Sequence, residues 1–132
     1  MARKRTKTTI KNNCDRLVRE CIRLRDVVCQ RCGCSINLQC AHVKVRKYNV
    51  TRWDLLNLLL LCGSDPASGH EGCHDWFDKH HLISSEWFKE KFPERHQHIS
   101  DIERNWQIKT WRVDDFLEVE NYLKDKLKDL RE

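Results

Sequence analysis

The sequence predicts an α+β domain in which helices near both ends of the chain enclose a short β region. Apolar residues recur at helical spacing from Asn13 to Asp26, and again from about Val113 towards the C-terminus. Between these stretches, the alternation of residues 36–48 indicates a strand or a short hairpin. The third observation is a set of 8 cysteines that includes a CxxC pair, which is typical of a metal site.

The composition is typical of a single globular domain. The chain has 132 residues, 39% of them hydrophobic and 34% charged, which suits one modest core and argues against a long disordered tract. No apolar run approaches the roughly 20 residues of a membrane helix, and no apolar segment follows the basic N-terminus as in a secretory signal. We therefore expect a cytoplasmic protein with reduced cysteines and no membrane partner, either a monomer or a homodimer.

Residues 1–12 are predicted to form a flexible basic arm, and residues 13–132 a single domain with a C-terminal helical extension. Within this domain, the apolar run Leu55–Cys62 predicts a buried segment. The remaining predicted elements are a short helix from His74 to His81, a helix that Ser84 or Ser85 caps and that ends before Pro93, and a turn or helix at residues 94–105.

Four cysteines are predicted to hold a structural zinc ion. Zinc prefers four tetrahedral nitrogen or sulfur ligands, and a CxxC turn such as Cys29 to Cys32 supplies two of them. Cys62 ends the apolar run and Cys73 begins a predicted helix, so these two complete the set. The alternatives for the fourth ligand are His70, Cys34 and Cys40. Cys14 and Cys21 lie on a helical stripe and are predicted to pack as small buried hydrophobes.

A second group of polar residues follows the order His42, Asn57, His74 and Asp78. The imidazole of His42, on the predicted strand, is suited to take a proton from water. Asn57 interrupts an apolar run, so its amide needs partners, and it could orient the imidazole or bind a metal. His74 and Asp78 lie four residues apart on a helix and share one face, where they could hold a divalent cation against a phosphate.

The order His42, Asn57, His74 resembles the HNH endonuclease motif in its zinc-knuckle variant. More narrowly, the segment "AHVKVRKYNVTRWDLLNLLLLC" followed by "CHDWF" is similar to phage recombination endonucleases of the NinG-like kind. The resemblance covers roughly residues 14–92. It implies a small ββα-metal, treble-clef-like core with structural zinc, flanked by N- and C-terminal helices.

The resemblance also implies roles for individual residues. His42 would be the general base, Asn57 would position His42 or touch the cation, and Arg46 would bind the scissile phosphate. His74 would ligate Mg²⁺ or another divalent cation, and Asp78 matches relatives that carry Phe-Asp after Cys-His. Many members carry Asp or His where this chain has Ala41, so the further ligand would be water, His80 or His81.

The implied activity is metal-dependent hydrolysis of DNA phosphodiester bonds in phage recombination or DNA processing, inside the host cytoplasm. Branched DNA, or DNA cut with little sequence selectivity, is the expected substrate. A zinc-stabilised DNA-binding protein that does not cleave is the alternative, and Ala41 favours it. A structural zinc protein that binds protein partners is a third interpretation.

An uneven charge distribution supports DNA as the partner. The formal net charge is +5, and within residues 1–52 the only acids are Asp15, Glu20 and Asp26. Cations that contact phosphates supply most of the sequence-independent affinity for DNA. The predicted DNA-binding residues are Lys44, Arg46, Lys47, Arg52, Arg16, Arg19 and Arg23. The tryptophans Trp53, Trp76 and Trp87 are predicted to belong to the core.

Overall fold

A computed structural model describes residues 4–132, and its α+β architecture confirms the predicted fold class. The described residues form six α-helices and one two-stranded antiparallel sheet. In chain order the elements are α1 (Lys7–Asp26), β1 (Leu38–His42), α2 (Asn49–Arg52), a 3₁₀ turn (Leu55–Asn57), β2 (Leu58–Cys62), α3 (Cys73–Lys79), α4 (His81–Lys91), α5 (Pro93–Arg104) and α6 (Val113–Arg131). In this part of the chain, no helix combines the length and the apolar character needed to cross a bilayer.

Helix α1 begins earlier than the sequence predicted. The Thr6 hydroxyl accepts a hydrogen bond from the Thr9 backbone N–H and caps the helix. Residues 7–12 of the predicted flexible arm are therefore helical, while residues 1–3 lie outside the described residues. Arg5 contributes to this start, because its guanidinium donates two hydrogen bonds of 2.7 Å to the buried carboxylate of Glu120 on α6. A long-range ion pair thus fixes the chain just before α1.

The two long helices form the larger of two cores. They pack against each other and against one face of β2, to which Leu58 and Leu60 belong. We call this group the helical core; its buried members are Ile10, Cys14, Leu17, Val18, Cys21, Ile22, Trp53, Leu58, Leu60, Phe116, Leu123 and Leu127. Cys14 and Cys21 are fully buried among apolar side chains, so the prediction that they pack as hydrophobes is confirmed.

A second core lies on the other face of β2, and Leu59 and Leu61 belong to it. Helices α3, α4 and α5 cover this face. We call it the cysteine-side core; its buried members are Cys29, Ala41, Leu59, Leu61, Cys62, Cys73, Phe77, Phe88 and Ile99. Because both faces of β2 are covered, every residue of Leu58–Cys62 is buried. Trp76 and Trp87 pack at the edge of this core and Trp53 lies in the helical core, which confirms their predicted packing.

The sheet is shorter than the predicted strand or hairpin of residues 36–48. Only Leu38–His42 forms a strand, which pairs with β2 so that Leu38 lies opposite Cys62 and His42 lies opposite Leu58. After His42 the chain leaves the sheet, because Asn57 and not a strand partner takes its next backbone hydrogen bonds. The β1–β2 pair therefore has Cys62 at one end and His42 at the other, and α3 follows in sequence.

Candidate metal centre and adjoining histidine cavity

The four cysteines predicted to bind zinc come together in the structure. The Sγ atoms of Cys29, Cys32, Cys62 and Cys73 all lie within 4.8 Å of one another, a grouping that could hold a metal ion. The Sγ atoms of Cys32 and Cys62 are 3.7 Å apart. Zinc–sulfur bonds of about 2.3 Å in a tetrahedron imply a sulfur–sulfur distance of about 3.8 Å. The spacing of this set therefore suits a closed four-sulfur site.

A tight turn presents the first two sulfur atoms. The Cys29 N–H donates to the Cys34 carbonyl at 2.9 Å, and the Gly33 N–H donates to the Cys29 carbonyl at 2.9 Å. Gly33 has a φ of 79°, a left-handed conformation that glycine adopts without a Cβ penalty. The turn brings the Cys32 N–H to 3.5 Å from the Cys29 Sγ. The turn therefore points a backbone donor at the Cys29 sulfur atom.

The other two sulfur atoms come from the end of β2 and the start of α3. The Cys73 N–H donates to the Cys62 Sγ at 3.3 Å. Burial raises the pKa of both the Cys62 and the Cys73 thiols. The Arg31 guanidinium, 3.5 Å from the Cys73 Sγ, opposes the shift at Cys73. Buried thiols of this kind become thiolates when a cation joins them, so the donor set suits a metal ion.

Two of the three alternative ligands also lie beside this cluster. Cys34 and His70 form a second group with Cys62, in which the ligand atoms again lie within 4.8 Å of one another. Cys40, in contrast, lines a separate cavity and belongs to neither group, so its place among the alternatives is wrong. Burial raises the pKa of the Cys40 thiol to about 11.

All of the predicted catalytic residues except Asn57 line one cavity of about 550 Å³ between α1, β1, α3 and the start of α4. It brings together His42, His74, Asp78 and Arg46, which are far apart in the sequence. His81 also lines this cavity, whereas His80 is exposed and does not. We call this space the histidine cavity; its other lining residues are Asp15, Val18, Arg19, Arg23, Leu38, Gln39, Cys40, Val45 and Leu58.

His42 is held at the end of β1 with one ring nitrogen already bonded. Its Nε2 lies 3.0 Å from the Arg52 carbonyl oxygen. Because a carbonyl oxygen only accepts, Nε2 carries the hydrogen, and the neutral ring keeps Nδ1 as its basic atom. Burial lowers the pKa of His42, although the bond to Arg52 opposes this shift. The imidazole is therefore neutral at pH 7, as a general base must be.

His74 and Asp78 form an adjacent pair on α3. The His74 Nδ1 lies 2.8 Å from the Gln39 Oε1 and donates to it, so Nε2 is the ring nitrogen left for another partner. That Nε2 lies 3.4 Å from the Asp78 Oδ2. The pair thus offers one imidazole nitrogen and one carboxylate to the solvent-facing side of the cavity, a donor set that could share a divalent cation with water ligands.

Asn57 has a different role from the one predicted. It is fully buried, and its Oδ1 accepts from the Lys44 N–H at 2.8 Å. Its Nδ2 donates to the carbonyls of Lys44 and Thr51 at 3.0 Å each. These bonds occupy the amide, and among the described contacts it reaches neither the His42 ring nor the cavity. Asn57 therefore joins the two ends of residues 44–51, and Arg52, whose carbonyl contacts His42, directly follows them in the chain.

Asp15 was not predicted from the sequence, although it anchors two of the predicted DNA-binding residues. Its carboxylate accepts from Arg46 at 2.9 Å, from Arg52 at 2.7 Å and from the Trp53 indole at 2.8 Å. Burial opposes ionisation of Asp15, yet the bonds from Arg52 and Trp53 hold its pKa below the ordinary value. Arg52 is only 13% exposed and acts as a structural cation, whereas Arg46 remains 62% exposed.

The other predicted DNA-binding residues divide into two groups. Arg19 and Arg23 line the histidine cavity together with Arg46. The remaining three point elsewhere, because Arg16 pairs with Glu20, Lys44 approaches Glu103 and the Tyr48 ring, and Lys47 lies over the Tyr48 ring. Of the seven predicted DNA-binding residues, only Arg19, Arg23 and Arg46 line this cavity.

Gln39 is the second site residue that the sequence did not reveal. It lies on β1 among residues that alternate in burial, and an isolated glutamine on a strand carries no signal of function. Only its contact with His74, across 35 residues of chain, gives it a role.

A scan of the chain against protein-family models found no match, and searches of curated proteins and of solved structures also found none.

Proposed function

We propose that this protein is a metal-dependent DNA endonuclease of the HNH type, with a structural zinc ion in the four-cysteine site. The observation that carries the proposal is the histidine cavity, in which a neutral His42 shares one space with the His74–Asp78 pair. The order β1, β2, α3 supports a ββα-metal core, because His42 ends the first strand and His74 lies in the first turn of the helix.

His42 would act as the general base in this mechanism. Its Nδ1 accepts the proton of an attacking water, while the Nε2 bond to the Arg52 carbonyl holds the ring in place and stabilises the charge that develops on it. The cleavage rate should fall only when the pH drops below 6.5, because the pKa of His42 is lowered from that value and the base must be neutral. Arg46, Arg19 and Arg23 would hold the phosphate at the cavity mouth.

His74 and Asp78 would hold the catalytic cation, Mg²⁺ or another divalent ion. When bound, such a cation supplies Lewis acidity at the phosphoryl oxygen and stabilises the departing oxyanion. Gln39 fixes the orientation of the His74 ring through its Nδ1, which directs the other nitrogen towards Asp78. DNA of low sequence selectivity, including branched DNA in phage recombination, is the substrate that we propose.

A DNA-binding protein that does not cleave is the second candidate function. Ala41 favours it, because this residue has no donor atom and is fully buried in the cysteine-side core. His74 and Asp78 would then lack the further protein ligand that many HNH members carry at the position of Ala41.

Nicking of supercoiled plasmid DNA separates the two candidates. With Mg²⁺, Mn²⁺ or Ni²⁺ we expect nicking by the native protein, none in EDTA, and a loss of about 10²–10⁴-fold in His42→Ala. His96→Ala is the matched control, since that histidine lies outside the histidine cavity. Undiminished cleavage by His42→Ala would refute the mechanism. Salt-dependent DNA binding without cleavage by any of these cations would favour the second candidate.

A further inference from the structure

The cysteine cluster contains more metal ligands than one tetrahedral ion can use. Cys29, Cys32, Cys62 and Cys73 complete a four-coordinate site. Cys34 and His70 are left over, yet both lie within 4.8 Å of the Cys62 Sγ and of each other. The two groups therefore meet at a single sulfur atom, that of Cys62.

His70 is presented to this cluster by a short, well-bonded loop. The His70 N–H donates to the Asp65 carbonyl at 3.0 Å, and the Asp65 N–H donates to the His70 carbonyl at 2.8 Å. Gly69, with a φ of 75°, allows the chain to turn immediately before His70. The backbone N–H and carbonyl of His70 are thus both paired, so the loop fixes the main chain from which the imidazole projects.

One ring nitrogen of His70, the Nε2, lacks a hydrogen-bond partner within the described residues. This atom is also buried from solvent. A buried polar atom that remains unpaired costs about 1–3 kcal/mol, so such atoms call for an explanation. A ring nitrogen of His70 lies within 4.8 Å of the Cys34 and Cys62 sulfur atoms, and an imidazole beside two thiols is a set of metal ligands that supplies such an explanation.

We propose that Cys34, Cys62 and His70 bind a second metal ion, and that the Cys62 thiolate bridges it to the ion of the four-cysteine site. The mixed sulfur and nitrogen donors select zinc among common cellular ions. Three protein ligands leave a fourth position for water. Five thiolates and two divalent ions carry a net charge of about −1, and the Arg31 guanidinium lies 3.5 Å from Cys73 to balance it. This site stands apart from the nuclease proposal and does not rest on it.

Zinc stoichiometry by native mass spectrometry tests the second site. A His74→Ala/Asp78→Ala background removes the candidate catalytic pair, so that zinc bound there is not counted. In this background we expect two zinc ions per chain, and one after either Cys34→Ser or His70→Ala. Cys21→Ser and His96→Ala are matched controls from outside the cluster, and both should retain two ions. A single ion in the background protein, or two ions that persist in His70→Ala, would overturn the proposal.

X-ray absorption at the zinc edge gives a second measurement that needs no change within the cluster. The background protein should show mixed sulfur and nitrogen coordination and a zinc–zinc distance of about 3.5–4 Å. Purely sulfur coordination without a zinc neighbour would show that Cys34 and His70 only pack beside the metal. Because this readout does not depend on cleavage, its failure leaves the nuclease proposal untouched.

Discussion

The two cores on either face of β2 use cysteine in opposite ways. In the helical core, Cys14 and Cys21 are dispersed along α1, and their sulfur atoms lie 3.6 and 3.8 Å from carbonyl oxygens of α6. In the cysteine-side core the sulfur atoms face one another. Cys29, Cys62 and Cys73 are buried like Cys14 and Cys21, whereas Cys32 is exposed, so burial alone does not separate the two kinds of cysteine. What distinguishes them is whether the backbone brings several sulfur atoms to one point.

The difference also concerns what holds each core together. Two helices of 20 and 19 residues supply the helical core with long apolar side chains. The cysteine-side core depends on short helices and on a turn whose main packing residues are thiols. We therefore expect the first core to be stable without metal and the second to require it.

Metal removal should produce the largest effect. Structural zinc contributes about 10–16 kcal/mol of binding free energy in small zinc-dependent folds, so chelation, or Cys62→Ser, should unfold the cysteine-side core. Hydrogen exchange would show lost protection in α3 and retained protection in α1 and α6. Cys21→Ser is the control, since its hydroxyl can replace the thiol as donor to the Leu123 carbonyl. Equal loss of protection in all helices would contradict the division into two cores.

Adjacent leucines on β2 allow a sharper comparison. Both residues are almost completely buried. Leu60→Ala leaves a cavity in the helical core, and Leu61→Ala leaves one in the cysteine-side core. Each substitution should cost about 2–5 kcal/mol in the metal-loaded protein, as measured by urea unfolding. In the metal-free protein, Leu60→Ala should still lower the free energy of unfolding by about the same amount. Leu61→Ala should have little effect there, because its core is already unfolded. Similar costs for both substitutions after chelation would mean that the two cores unfold as one.

The buried carboxylate of Glu120 tests the helical core without reference to metal. Hydrogen bonds from Arg5, with help from Asn13, lower the pKa of Glu120 to about 2, although burial opposes this. A lowered pKa stabilises the fold above the ordinary value of 4.5, and this stabilisation disappears as the pH falls towards 2. Glu120→Gln should therefore cost about 1.5–3 kcal/mol at pH 7 and much less near pH 2.

Thermal or urea unfolding across this pH range measures the change, and Glu118→Gln is the exposed control on the same helix. A cost of Glu120→Gln that does not change with pH would show that the contribution of Glu120 comes from packing alone.

Arg31 should give the smallest effect, confined to the cysteine side. Its guanidinium lies 3.6 Å from the centre of the Trp76 ring and 3.5 Å from the Cys73 Sγ. Arg31→Ala should weaken zinc binding by about 0.5–1 kcal/mol, a few-fold in affinity, in competition with a chromophoric chelator. Arg31→Lys, which keeps the charge, should restore part of the loss. Unchanged zinc affinity in Arg31→Ala would show that the exposed cation contributes nothing to the cluster.

The candidate site was predictable wherever its residues are close in sequence or lie on one helix. CxxC spacing indicated Cys29 and Cys32, and the four-residue spacing indicated the His74–Asp78 pair. Joining Cys62 and Cys73 to the CxxC pair relied on residue type, whereas long-range hydrogen-bond partners were not predictable, because no local pattern encodes them. Asp15 accepts a hydrogen bond from Arg52, 37 residues away, and the amide of Asn57 bonds Lys44, 13 residues away. The start of α1 at Lys7 follows the same rule, since it accompanies the ion pair of Arg5 with Glu120.

By itself, the sequence determined the amphipathic periods of α1 and α6, the apolar run that becomes β2, and the residue types able to bind a metal. These properties are local, because a helix or strand fixes which side chains share a face. Tertiary structure alone decided that Cys40 leaves the cluster, that His70 joins it with a buried unpaired nitrogen, and that His42 and His74 line one cavity. Such placements depend on how separate elements pack, and packing is settled by the whole chain together.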